Sequence, residues 1–189
     1  IHTIDRLGKE SAGLVLTAIP HPVDMARWQL TGEQQTLAAF ADGLRISIPA
    51  EAFTAGTQMT AQDLGKPQQP TDETLSVMGN AYTCATDAEA TAKPLFLALQ
   101  YDAELLGSTD ARQLGIYRQD EEQPGKWSYI GGVVDLYNHR VTTKITQLGT
   151  YAVMLRRPVF VDLKGHWGKL DVEIMAAPMA LEKIGRAHV

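Results

Sequence analysis

Carboxylates, imidazoles and one thiol are the groups in this chain that could carry chemistry, and their spacing decides what each could do. Asp120, Glu121 and Glu122 form an acidic run beside Pro124-Gly125. Calcium needs oxygens converging from several directions, and three consecutive residues without EF-hand spacing do not supply them. The run reads as a solvated loop. Asp135, Asn138 and His139 lie close enough to suggest a metal site, but their spacing fits a hairpin turn better. The five histidines, at 2, 21, 139, 166 and 188, form no His-Glu-x-x-His pair, and there is no Gly-x-Ser-x-Gly elbow or Gly-Lys-Ser/Thr phosphate loop. Cys84, the one cysteine, stands in Tyr82-Thr83-Cys84-Ala85 without a Cys or His partner at metal-ligand spacing. It reads as a small buried apolar residue, with a reactive thiol as the minor alternative. The sequence therefore predicts no catalytic residue, no metal site and no cofactor.

The chain that must position these groups has 189 residues and 44% hydrophobic content, enough for one sizeable core and a small second unit. Lys and Arg number 17 against 22 Asp and Glu, a formal net charge of -5, and the cations are scattered rather than striped. Nucleic acid is not an expected partner. No run approaches the roughly 20 apolar residues that span a bilayer, so no membrane span is expected. The first residues do not read as a secretory signal, which a mature chain or an excised fragment would also lack.

Period-two patterning dominates the chain. Residues 14–19 read as a strand stopped by Pro20-His21-Pro22, which makes His21 a turn residue. Leu44-Arg45-Ile46-Ser47-Ile48 alternates strictly before Pro49. Further strands are predicted over 57–64, 75–86 and 95–101, with 65–72 as a polar, proline-containing loop. From Leu114 the spacing tightens into strands over 115–119, 126–130, 133–136, 140–147 and 150–155. Glu122-Gln123-Pro124-Gly125, Gly131-Gly132 and Tyr137-Asn138-His139 supply the turns between them. Helix is predicted at 23–28, at 102–106 and near the C-terminus. No fixed-period internal repeat is present, and Arg156-Arg157-Pro158 is the natural boundary. The fold class is mainly β: an antiparallel β-sandwich followed by a short α-helical C-terminal unit. Residues 1–43 form an N-terminal strand and helix region of the β domain, 44–156 the sandwich and 157–189 the helical unit.

In that last unit, Phe160-Val161-Asp162-Leu163 is extended, Gly165-His166-Trp167 turns the chain, and Lys169 to Ala177 follow as an amphipathic helix. Leu170, Ile174 and Ala177 share one helical face, broadened by Val172 and Met175, while Lys169, Asp171 and Glu173 stay wet. Pro178 limits the helix. Trp167 reads first as a core anchor and second as a ligand contact. This order of residues resembles the opening of a bacterial S-layer homology module. That family carries an Ile-Thr-Arg-Ala-Glu-like box further on, whose arginine meets the acidic group of a cell-wall carbohydrate. The nearest segment here, Ile184-Gly185-Arg186-Ala187-His188, keeps Ile, Arg and Ala and lacks Thr and Glu. A planar guanidinium at Arg186 suits a carboxylate such as a pyruvate ketal, and a terminal arginine without a partner is the other reading. The resemblance implies glycan binding through Asp162, Trp167 and Arg186.

A second resemblance covers residues 44–155. Ile46 to Phe53, Lys93 to Asp102, and Leu114-Gly115-Ile116-Tyr117 through Thr150-Tyr151-Ala152-Val153 follow the strand order of ZU5-like and autoproteolysis-inducing domains of surface proteins. Self-cleaving relatives carry a His, a bulky apolar residue and then Ser or Thr. This chain has Gln147-Leu148-Gly149, with neither a hydroxyl nucleophile nor a general base, and is expected to stay intact.

Together the resemblances imply a noncatalytic extracellular module of the bacterial cell wall or S-layer, joining a β-sandwich to a wall-glycan anchor. Its partners would be a secondary cell-wall polymer or a peptidoglycan-linked glycan, and neighbouring surface-layer proteins. The alternatives are a structural spacer or self-assembly module without glycan binding, and an accessory domain of a secreted polysaccharide-processing enzyme.

Overall fold

A computed structural model describes residues 15–19, 25–40, 42–88, 91–157, 168 and 171–172. Among these residues, twelve strands form two six-stranded sheets. In chain order they are β1 (Val15–Ile19), β2 (Met25–Gln29), β3 (Thr36–Phe40), β4 (Leu44–Ile48), β5 (Gln58–Asp63) and β6 (Leu75–Thr86). After them come β7 (Leu95–Gln100), a helical turn α1 (Ala103–Leu106), β8 (Leu114–Gln119), β9 (Trp127–Gly131), β10 (Val133–Asp135), β11 (Arg140–Ile145) and β12 (Gly149–Arg156). One sheet runs β1-β3-β4-β7-β11-β10 and the other β2-β5-β6-β12-β8-β9. Every pairing is antiparallel except β1 with β3, so the chain is mainly β as its patterning predicts.

Alternation explains the layering. Leu44, Ile46 and Ile48 of β4 and Leu95, Leu97 and Leu99 of β7 point inward from the first sheet. Trp28, Met59, Tyr82, Ile116, Tyr151, Val153 and Leu155 meet them from the second, in one continuous core. Burying each large aliphatic side chain stabilises the fold by about 1.5–3 kcal/mol before conformational entropy is set against it. The central strand β12 is buried on both faces, because Ala152 and Met154 join Leu75, Ala81, Tyr117 and Trp127 in a second cluster on the opposite side of that sheet.

The helix predicted at 23–28 is a correction. Residues 25–29 are strand β2, alternating exposed and buried, with Ala26 and Trp28 in the core and all five residues in register with Gln58–Gln62. Met, Ala and Arg favour helix locally, yet a single turn is unstable alone, and pairing with β5 while Trp28 is buried overrides the propensity. Strand β3, rich in alanine and unassigned by pattern, forms for the same reason: its ladder to β4 places Thr36, Ala38 and Phe40 inward. The helix predicted at 102–106 is present as α1, whose N-cap Asp102 accepts a hydrogen bond from the Glu104 amide at 3.0 Å. Among the described residues, no helix is long and apolar enough to cross a membrane.

Candidate functional site

Three consecutive backbone amides at the end of β7 tie together the walls of a cleft. Gln100 N–H donates to the Gly43 carbonyl at 2.8 Å, Tyr101 N–H to His139 at 2.9 Å, and Asp102 N–H to Met78 at 2.7 Å. The β3–β4 turn, the start of β11 and the middle of β6 are thereby pinned around one strand end. The space between them is about 560 Å³, lined by Asp42, Gly43, Gly79, Asn80, Tyr82, Gln100, Tyr101, Asp102, Ala103, Glu104 and His139.

Local irregularities shape this cleft. The β6–β12 ladder runs to Ala152 opposite Ala81 and resumes at Met154 opposite Val77, so Met78, Gly79 and Asn80 bulge against Val153 alone. Gly79 lets the bulge approach β7, since a Cβ there would sit 3.2 Å from the Gln100 carbonyl. The only non-glycine residues with positive φ among those described are Asp42 (54°), Glu51 (63°) and His139 (51°), and two of these three line the cleft. Such conformations cost free energy, persist where the surrounding structure enforces them and collect at binding sites.

The polar groups are positioned by specific partners. Asn80 Nδ2 donates to both Asp63 oxygens at 3.1 Å. The Tyr101 and His139 rings meet at 5.7 Å, tilted 59°. Arg140 donates to the Asp42 carbonyl, and its Nη1 is buried without a hydrogen-bond partner. Burial pushes the Tyr82 hydroxyl up to about 12, with Asp63 adding to the shift and Arg140 opposing it. In the turn that leads to His139, Asp135 accepts from the Tyr137 and Asn138 amides at 3.0 Å and from Asn138 Nδ2 at 2.6 Å. Asp135, Asn138 and His139 are thus turn residues, as their spacing predicts, and the turn holds Tyr137 with 92% of its surface exposed.

A second cleft, of about 640 Å³, lies at the other end of β11 and includes Gln147-Leu148-Gly149. Arg118 donates to the Gln147 side chain and pairs with Glu121 at 3.2 Å, while Tyr151 Oη donates to the Gln147 carbonyl at 2.5 Å. Gly149 has φ of 151°, and a Cβ there would stand 3.0 Å from Arg118 Nε. The geometry at this bond therefore disfavours any side chain at 149. Asp120 accepts from the amides of Glu122 and Gln123, closing the acidic loop on itself. Cys84 is buried and free, its thiol pushed up to about 12 by burial, as expected of a small core residue.

Asp162, Trp167 and Arg186, the glycan contacts implied by the S-layer homology resemblance, lie outside the described residues, as does most of the helix predicted after them. The first cleft was not legible as a site. Its residues come from four segments between 42 and 139, each ordinary on its own; the Asp42-Gly43 and Asn138-His139 turns were the available signals.

No protein-family model matches the chain. Among curated proteins it is similar to the amylopullulanase of Thermoanaerobacterium thermosulfurigenes, 26% identical over 148 residues that make up 75% of this chain. The chain thus corresponds, by distant similarity, to a segment spanning 8% of the length of that much longer enzyme.

Proposed function

We propose that this chain is a noncatalytic accessory β-sandwich of an extracellular polysaccharide-processing protein of the bacterial cell surface. The observation that carries the reading is the match itself: 148 residues aligned with 8% of an enzyme named for acting on starch-type glucans and pullulan. A segment of that size is one module among several, and in this reading the module holds or positions polymer while another domain cuts it. In the finer form of the proposal, residues 157–189 are a unit separate from the sandwich and tether it to a secondary cell-wall polymer or peptidoglycan-linked glycan. Asp162, Trp167 and Arg186 supply the contacts, supported by the S-layer homology-like order of residues 160–177.

Reducing-sugar release from pullulan and co-sedimentation with purified cell-wall sacculi test the two halves. The chain is expected to release no sugar and to sediment with sacculi, and Trp167→Ala to lower that retention while leaving the thermal transition in place. Sugar release would overturn the noncatalytic reading. Concentration-dependent self-association without retention on sacculi would replace the tether by a spacer role.

A further inference from the structure

We propose that the cleft between the β3–β4 turn, the β6 bulge and the β10–β11 hairpin binds a neutral oligosaccharide, with the exposed Tyr137, two residues before the lining His139 in the same turn, offering a face to a sugar ring. The inference rests on the accessory-module reading only for the choice of glycan. The lining itself points to a polyhydroxylated ligand. Asp42, Asp102 and Glu104 bring carboxylates, Asn80 and Gln100 amides, Tyr82 and Tyr101 phenols and His139 an imidazole, whereas Ala103 is the one aliphatic side chain among them. Acceptors outnumber donors, so a ligand rich in hydroxyl donors satisfies them. An amphipathic helix or acyl chain would find almost no aliphatic side chain to pack on.

Charge narrows the choice further. Among the described residues no lysine or arginine lines the cleft, which leaves a phosphate or an acidic polymer without a cation to meet there. Arg140 lies against Asp42 and interacts with Asp42, Asp135 and Arg45, so the carboxylate field is partly offset and a strongly cationic ligand is not selected either. Among the described residues no three His, Cys, Asp or Glu side chains converge closely enough to hold a metal ion. What remains is a neutral ligand whose C–H faces pack on flat rings and whose edges carry hydroxyls. Tyr137 presents such a face in full, and the Asp135 turn fixes its backbone before any ligand arrives, which limits the ordering cost of binding.

Native electrophoresis of the full chain in gels containing pullulan, with polygalacturonate as the acidic control, tests the proposal. The wild type is expected to be retarded by pullulan and not by polygalacturonate. Tyr137→Ala, at a side chain with no packing to lose, is expected to weaken retardation about tenfold and Tyr137→Phe to leave it near wild type. His139→Gly, which suits the positive φ, is expected to weaken it as well. Absence of retardation by pullulan, stronger retardation by polygalacturonate, or full binding by both Tyr137→Ala and His139→Gly would overturn the cleft assignment. Those results leave the accessory-module reading standing if the chain still sediments with sacculi and releases no sugar. Loss of pullulan binding in Trp167→Ala alone would move the site to the C-terminal unit.

Discussion

Replacing Gly43 by alanine places a methyl group where a buried phenol already stands. An ideal Cβ at position 43 would lie 1.8 Å from Tyr82 Oη and 2.7 Å from its Cζ. Nonbonded contacts settle near 3.5 Å, so the hydroxyl must retreat by roughly 1.5 Å. The Tyr82 ring is only 4% exposed and is stiff along the axis of the clash, so it cannot yield as the tip of a lysine would. Overpacking of this kind costs about 1–3 kcal/mol. Gly43 does not have a positive φ, so backbone strain adds nothing and the cost is purely steric. Without the phenol, alanine would help by about 0.4–1 kcal/mol through the unfolded chain. Tyr82→Phe removes the nearest atom and leaves Cζ, so the double variant is expected to recover about 1 kcal/mol relative to the sum of the single losses. Urea unfolding followed by fluorescence of the buried Trp28 and Trp127 reads this directly. With a slope near 2 kcal/mol per M, a loss of about 2 kcal/mol lowers the midpoint by about 1 M. A Gly43→Ala protein as stable as wild type, or additivity with Tyr82→Phe within about 0.3 kcal/mol, would refute the reasoning.

Alkaline pH is expected to destabilise the fold. Burial pushes Tyr82, Tyr117 and Tyr151 up to about 12 from 10.0, and Cys84 up to about 12 from 9.0. The folded state then holds these protons more tightly than the unfolded chain. The associated stability is present in full below about pH 9 and is lost as pH rises toward 12. A urea midpoint that stays constant from pH 9 to 11.5 would contradict this. At the other end of the sandwich, the wild type and Gly149→Ser are both expected to remain single bands on denaturing gels after prolonged incubation. Gln147 supplies no base, and a side chain at 149 meets Arg118 in a strained backbone, so the variant is also expected to lose about 1–3 kcal/mol. Fragments with masses matching a break between Leu148 and Gly149 would show that the nucleophile alone had been missing.

Most strands were legible because a half-buried strand writes its own pattern. Leu44 to Ile48 alternates in the sequence and buries Leu44, Ile46 and Ile48 in the sheet. The turns were readable from Pro124-Gly125 and Asn138-His139, and α1 from a capping aspartate. Strands β2 and β3 were not, since Met-Ala-Arg and Leu-Ala-Ala favour helix and become strand only when β5 and β4 supply the ladder. Residues 75–86 read as one strand, and nothing in them announced that Met78 to Asn80 would bulge; that follows from the register demanded by β12.

By itself, then, the sequence determined the mainly β character, several turn positions and the burial of Cys84, because each depends on a few neighbouring residues and on apolar period. Tertiary structure decided which strands are neighbours, and with that the cleft. Asp42, Asn80, Gln100 and His139 are brought together by pairings between segments far apart in sequence, and by three amides at the end of β7 that bind to three different segments. No local pattern encodes such a meeting, since it is fixed by which backbone groups and apolar faces are left to satisfy one another when the two sheets close.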